Sequence, residues 1–375
     1  MALLVSCGVF HPHQGGAESL FGDLCERFAA AGRDVSVITR RLADTPDRET
    51  HRGAAIRRFD YPTPYEALAP EDAFAPRSQA VLDELRQTIE RRGVRTVCIG
   101  LLDMGAMYLL RLRPRLRFRL VLYLHGGEVR VLPRQQETYR RLLLHALRAA
   151  DAVVAVSNGL AQDVLALDPS LDARLHVIPN GIDVNAVRRQ PAAPRSRPYA
   201  LYAGRLAASK SVPRIVEAFG RIAAEAPELD LLLAGAGDRE HEVRAAIERL
   251  SLHDRAILLG PRPREEVYSL MKSSRFVTLA SDAEGLPLVG LEALAAGVPL
   301  VAPRVAGVTE IIEHGVNGLL FEPRDAAAYA ARMLELHRSE ALSRQLRAGA
   351  RAFPIDDYDI DRLWRRHAEL LDGPS

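Results

Sequence analysis

The chain has 375 residues, 48% hydrophobic and 26% charged, with 50 basic against 48 acidic side chains and a formal charge of +2. That length exceeds the roughly 250 to 300 residues at which single cores stop growing, so two domains are expected, and the composition excludes a fibre or a disordered tail. The charge balance gives no overall field for nucleic acid; the three cysteines, Cys7, Cys25 and Cys98, lie in apolar segments without CxxC spacing, which argues against a disulfide framework or zinc site and fits a reducing cytoplasm.

The opening segment, Met1 to Phe10, is apolar, about one strand long and without a basic leader, so it is expected to be neither a signal peptide nor a membrane anchor. Within it Leu3 to Val9 reads as a strand, followed by a helix over Glu18 to Ala31. Further strands are expected at Val35 to Thr39, Thr96 to Gly100, Leu120 to Leu124 and Val153 to Val156, separated by segments of helical period. This alternation predicts a parallel sheet covered by helices on both faces. Arg188 to Pro198, carrying Pro191, Pro194 and Pro198, reads as a linker. The alternation then resumes with strands at Tyr199 to Ala203, Leu231 to Ala234, Ala256 to Leu259, Phe276 to Ala280 and Pro299 to Ala302, and Ile360 to Leu371 reads as a closing helix after a loop at Phe353 to Asp357. The expected fold class is α/β, with two Rossmann-like doubly wound domains, 1–190 and 191–354, facing a central cleft, and the last helix within 355–375 joined to the first domain. Ligands of such sheets bind beyond the carboxyl ends of the strands.

Three segments carry chemistry. In His13-Gln14-Gly15-Gly16-Ala17-Glu18, between the first strand and helix, Gly15 and Gly16 let a ligand approach the backbone and the helix start offers unpaired N–H groups to a phosphate; a tight turn would carry the same residues. In Gly204-Arg205-Leu206-Ala207-Ala208-Ser209-Lys210, at a strand end, a planar fork and a point charge can converge on a diphosphate. Lysine occurs only here and at Lys272, which is expected on a helix surface. In Glu284-Gly285-Leu286-Pro287-Leu288-Val289-Gly290-Leu291-Glu292, glycine and proline before an apolar run place a helix N-terminus at about Pro287, with Glu284 ahead of it and Glu292 inside it. That spacing does not suit a retaining glycosidase pair, whose carboxyl groups lie roughly 5 to 5.5 Å apart. A helix N-terminus suits a phosphate-bearing donor, leaving Glu284 to accept sugar hydroxyls.

Taken together and in this order, the three segments resemble the retaining glycosyltransferases of family four, which have the GT-B architecture. The resemblance implies donor contacts from Gly15, Gly16, Gly285, Leu286, Pro287 and Leu288, diphosphate binding by Arg205 and Lys210, sugar binding by Glu284 and ribose binding by Glu292. It implies that His125, in Leu124-His125-Gly126-Gly127-Glu128, stands beside the anomeric centre. The nucleoside would lie on the loops of Gly235-Ala236-Gly237-Asp238 and Leu259-Gly260-Pro261-Arg262, with Gly235, Gly260 and Arg262 as contacts; Ser157 and Pro179 to Asp183 match positions read first as turns. The chain departs from the commoner pattern at Ser211, where a glycine usually follows the lysine, and at Val305-Ala306-Gly307, where two glycines are common.

The implied reaction is retaining transfer of a hexose-type sugar from a nucleoside-diphosphate donor, UDP before GDP-mannose, to a hydroxyl of a glycan, glycolipid or natural product, as in polysaccharide biosynthesis. No cofactor or metal is expected; the Asp357, Asp359 and Asp361 pattern is read as helix capping. Competing readings are a nucleotide-sugar epimerase or hydrolase on the same fold, and a non-catalytic binding subunit. The expected location is the cytoplasm. Arg111, Arg113, Arg115, Arg117 and Arg119, with Arg140, Arg141 and Arg148 around Leu142 to Leu144, are compatible with peripheral contact at the inner face of the membrane or with a solvated basic face. The loop Tyr61 to Pro76 is the candidate for acceptor contact.

Overall fold

The computed structural model describes residues 2–12, 15–61, 76–193 and 195–373. It divides into two compact units, residues 1–180 with 360–375 and residues 181–359. The division at Asn180 and Gly181 precedes the proline-bearing stretch 188–198, whose first residues close the helix Val184–Arg189; Pro194 lies outside the described residues.

The first unit is built on strands β1 (Ala2–Ser6), β2 (Asp34–Arg40), β3 (Arg48–His51), β4 (Ala54–Phe59), β5 (Val94–Ile99), β6 (Arg119–Leu124), β7 (Ala152–Ala155) and β8 (Leu175–Val177). They order as β3-β4-β2-β1-β5-β6-β7-β8. Every pairing is parallel except that of β3 with β4, so the sheet is not wholly parallel: an antiparallel strand closes one edge. The chain runs outward from β1 to one side and then from β5 to the other, which puts the topological switch point between β1 and β5.

In the second unit β9 (Tyr199–Ala203), β10 (Asp230–Ala234), β11 (Ala256–Gly260), β12 (Phe276–Thr278), β13 (Leu300–Pro303) and β14 (Gly318–Phe321) order as β11-β10-β9-β12-β13-β14, all parallel. Every residue of β9, β10, β12, β13 and β14 is buried, because helices cover both faces and leave no solvent side for alternation. The switch point lies between β9 and β12.

The helix Ile360–Asp372 packs into the first unit. Ile360, Leu363, Ala368 and Leu371 join a core with Leu24, Phe28, Val121 and Tyr123, and the Trp364 ring meets Phe28 edge-on at 6.4 Å. Ion pairs from Arg27 to Asp361 and Arg33 to Asp372 flank this apolar stripe, and Thr96 Oγ1 donates to the Leu371 carbonyl at 2.9 Å. Among the described residues no helix is long and apolar enough to cross a membrane.

Candidate active site

In the first unit, the loop after β1 leads to Gly15, which precedes the helix Gly16–Ala30 in extended conformation and gives it no side-chain cap. His13 and Gln14 lie outside the described residues. The buried carboxylate of Glu18 stands against this helix start: a Cβ on Gly15 would lie 2.3 Å from Glu18 Oε2. The positive end of the helix already faces a negative charge, so it is a poorer phosphate seat than an uncapped N-terminus.

His125 directly follows β6, which pairs with β5 on one side of the switch point. Its Nε2 lies 2.9 Å from the Gly100 carbonyl, which only accepts, so Nε2 carries the proton of this bond and Nδ1 is the nitrogen left for another partner. Nδ1 is buried without a hydrogen-bond partner among the described residues. The backbone N–H of His125 donates to Glu128 Oε1 at 2.7 Å, and the Phe21 ring packs edge-on at 5.9 Å. The loop that supplies Gly100 is held by Tyr139, whose hydroxyl donates to Leu102 O at 3.0 Å, and by Asp103, which caps the helix Met104–Leu112 at Ala106 N. Burial pushes the Asp103 carboxyl up to about 6. Glu128, Tyr139 and Asp103 escaped the sequence reading because their roles depend on packing between segments.

In the second unit the loops at the carboxyl ends of β9, β10 and β11 lie backbone to backbone. Gly235 has φ 146°, and a Cβ there would lie 1.9 Å from the Gly204 carbonyl oxygen, so this approach admits only glycine. Gly235 N in turn donates to Gly260 O at 2.8 Å. Arg205 is exposed and its carbonyl accepts from the buried Tyr202 hydroxyl at 2.8 Å. Lys210 Nζ lies 2.6 Å from Glu284 Oε1, with side-chain exposures of 29% and 8%. The ammonium and the carboxylate, 74 residues apart, therefore meet across the switch point. Ser211, after the lysine, adopts the left-handed conformation at φ 48°, ψ 41°, which explains why glycine would be favoured there.

Pro287 precedes the helix Leu288–Ala295, whose N-terminus has neither a side-chain cap nor an acidic residue in its first turn, so its first N–H groups and positive dipole end can serve an anion. Gly307 lets its segment lie on the Glu284-Gly285 backbone: a Cβ there would be 2.1 Å from the Gly285 oxygen. Asp282, just ahead of Glu284, accepts from Arg214 at 2.6 Å and Arg324 at 3.2 Å; burial pushes its carboxyl pKa up, yet these two hydrogen bonds hold it below the usual range. Glu292 Oε1 accepts from the Tyr268 hydroxyl at 3.1 Å, and the Arg264 guanidinium lies 3.9 Å away. Glu284 and Glu292 thus engage different partners.

Other residues singled out from sequence are tied to their own loops. Arg262 is exposed, donating to Leu259 O at 3.0 Å and pairing with Glu266 at 3.4 Å. Ser157 and Asp183 cap the helices that follow them, and Asp361 pairs with Arg27. Lys272 departs from expectation: instead of a free surface position, its ammonium donates to the carbonyls of Arg188 at 2.7 Å and Gln190 at 2.5 Å, tying down the end of the helix Val184–Arg189. Among the basic residues weighed for membrane contact, Arg113 pairs with Asp151, Arg140 with Glu137 and Arg148 with Asp168. Of the loop Tyr61 to Pro76, residues 62–75 lie outside the described residues. Among the described residues no group of three or more His, Cys, Asp or Glu side chains could hold a metal ion.

Two doubly wound α/β units of eight and six strands define the GT-B class of fold. The chain superposes on sucrose-phosphate synthase from Thermosynechococcus elongatus with a TM-score of 0.82 at 21% identity, covering 98% of each chain. It superposes on Anabaena HepE in complex with UDP-glucose with a TM-score of 0.80 at 21% identity, covering 100% of each chain. Residues 14–186 match Glycosyltransferase Family 4 and residues 183–353 match Glycosyl transferases group 1. The chain therefore belongs to the retaining glycosyltransferases of family four. A curated relative, N-acetyl-alpha-D-glucosaminyl L-malate synthase of Bacillus anthracis, is 28% identical over 256 residues, which are 66% of this chain and 66% of the relative. The aligned stretches span from 29% to 66% of the lengths of the first curated relatives.

Proposed function

We propose that the protein transfers a hexose-type sugar from UDP to a hydroxyl-bearing acceptor with retention at the anomeric carbon and without a metal ion. The observation that carries this reading is the Lys210–Glu284 pair at the second unit's switch point, beside the uncapped start of the helix Leu288–Ala295. A bound diphosphate draws the Lys210 ammonium away from Glu284, joins it to the exposed guanidinium of Arg205, and leaves Glu284 to accept hydrogen bonds from the sugar. Glu292 takes the ribose. As the sugar–phosphate bond breaks, negative charge grows on the diphosphate beside fixed donors, which stabilise the transition state more than the ground state. The leaving phosphate oxygen takes the acceptor's proton on the face from which it departs, and His125 offers its Nδ1 lone pair to a sugar hydroxyl. The uridine base is favoured by the UDP-glucose in the structure of HepE, and an N-acetylated sugar is compatible with the name of the malate synthase.

Thermal-shift titration with UDP, GDP and ADP tests the donor. UDP is expected to raise the melting temperature most, by about 2.7 kcal/mol of added stability at a hundredfold excess over Kd. Product analysis with UDP-glucose and UDP-N-acetylglucosamine should then show sugar joined to an acceptor with the α-configuration of the donor. No shift with any nucleotide, or release of free sugar alone in the presence of acceptors, would overturn the proposal.

A further inference from the structure

We infer a second binding site, for a small phosphorylated anion, on the edge of the first unit's sheet opposite His125. Arg95 follows the first residue of β5 and Arg119 opens β6, at the amino ends of strands whose carboxyl ends lead to Gly100 and His125. With Arg113 and Arg117 they line a depression of about 450 Å³. The depression is shallow and open to solvent, which suits a phosphate group presented on a larger body and not an enclosed ligand.

The charges in this depression are unbalanced. Its four guanidinium groups face one carboxylate, Asp151. Asp151 Oδ2 is already engaged by Arg113 Nη2 at 2.6 Å and by Leu120 N at 2.7 Å. Arg119 Nε donates to the Leu370 carbonyl at 3.2 Å, near the end of the helix Ile360–Asp372. Arg95 and Arg117 are exposed and make no hydrogen bond or ion pair with the described residues. Arg113 Nε is buried without a hydrogen-bond partner among the described residues, its guanidinium 5.3 Å above the Phe118 ring. Like charges gathered in one depression repel until an anion enters, and guanidinium forks match phosphate oxygens two at a time. Pro114 and Leu116 supply an apolar wall for the body of the ligand.

A lipid surface fits less well. Peripheral docking inserts apolar side chains beside the basic ones, whereas the exposed large hydrophobics among the described residues are Leu167, Leu250 and Val316, none of which lines the depression. The site lies in a different unit from Lys210 and Glu284, so it does not depend on the donor proposal.

Calorimetric titration with inorganic pyrophosphate tests it, in the full chain carrying Lys210→Ala so that the proposed donor site contributes little. The parent is expected to show a saturable site, and Arg95→Gln with Arg117→Gln to weaken it by about tenfold or more per guanidinium, the effect of losing one charge-assisted hydrogen bond. Both side chains are exposed and unbonded, so circular dichroism and the unliganded melting curve should not change. The same two substitutions in the chain with Lys210 intact, titrated in saturating UDP, provide a second measurement. Equal pyrophosphate affinity in parent and double variant overturns the site. So does flotation of the parent with phosphatidylglycerol vesicles that pyrophosphate fails to compete, because the depression would then be a lipid-docking surface.

Discussion

Replacing Lys210 by alanine should produce two losses of different origin. In the free protein its ammonium sits 2.6 Å from a carboxylate that is 8% exposed, while the lysine itself is 29% exposed. That places the pair between exposed ion pairs of roughly 0 to 1 kcal/mol and buried ones whose breakage costs about 3 to 5 kcal/mol, so Lys210→Ala should lower the unfolding free energy of the second unit by roughly 1 to 3 kcal/mol. By analogy with removal of one oxyanion donor, kcat should fall about 10²- to 10³-fold, or roughly 2.7 to 4 kcal/mol. Adding Glu284→Gln removes the stranded carboxylate and should restore part of the stability but none of the turnover. Lys210→Arg should recover only part of kcat, because a planar fork cannot occupy a point-charge position without moving the loop. Urea unfolding and nucleoside-diphosphate release read the two losses separately. Arg221, exposed on the helix Val212–Ile222, serves as the control that Lys272 cannot. Near-parental kcat in Lys210→Ala, or an equal loss in Arg221→Ala, would refute the reasoning.

Glu284→Gln alone should remove most turnover while leaving circular dichroism unchanged, since an amide cannot offset positive charge developing on the sugar; retention of kcat would move the sugar site elsewhere. Glu292→Ala should raise the Kd for UDP in calorimetry more than it lowers kcat, because its proposed contact is with the ribose. Lys272→Ala should cost about 1 to 3 kcal/mol in urea unfolding, for its charge-assisted bonds to two carbonyls, with kcat unaltered. Burial, with smaller contributions from Arg366 and His125, pushes the His367 imidazole down to about 3. The unfolded chain takes up a proton near pH 6.5 that the folded unit refuses, so stability should be level above that pH and fall by about 1.4 kcal/mol per pH unit below it. Urea midpoints measured across this range should show the acid limb flattened in His367→Gln.

Five of the second unit's six strands, β9 to β13, were legible to within a residue or two, because continuous apolar runs bounded by glycine and charge mark a sheet buried on both faces. Tyr199 to Ala203 coincides with β9, and Leu231 to Ala234 falls one residue short of β10. The strands β3 and β4 were missed because Arg48 to His51 is wholly polar and Ala54 to Phe59 carries Arg57 and Arg58. The strands β8 and β14 were missed because Leu175–Val177 is interrupted by His176 and only half-buried, and Gly318–Phe321 opens on a glycine that reads as part of a turn. Among the proposed site residues, the loop positions of Arg205, Lys210 and Glu284 could be inferred from strand ends and glycines. Their partners could not: the Lys210–Glu284 bond and the Tyr268 hydroxyl on Glu292 depend on how segments far apart in sequence pack together.

The route of the chain between the units affects how the protein is made. The first unit leaves its sheet at Asn180 and recovers its last helix only from Ile360. At roughly 5 to 20 residues per second, a ribosome needs on the order of ten to forty seconds to make the intervening segment. During that interval Leu24, Phe28, Val121 and Tyr123 lack the side chains of Ile360, Leu363 and Leu371 that later share their core. The unit synthesised first is thus the last to be completed, and its nascent form presents a greasy groove to chaperones while the second unit, contiguous in sequence, can already close on itself.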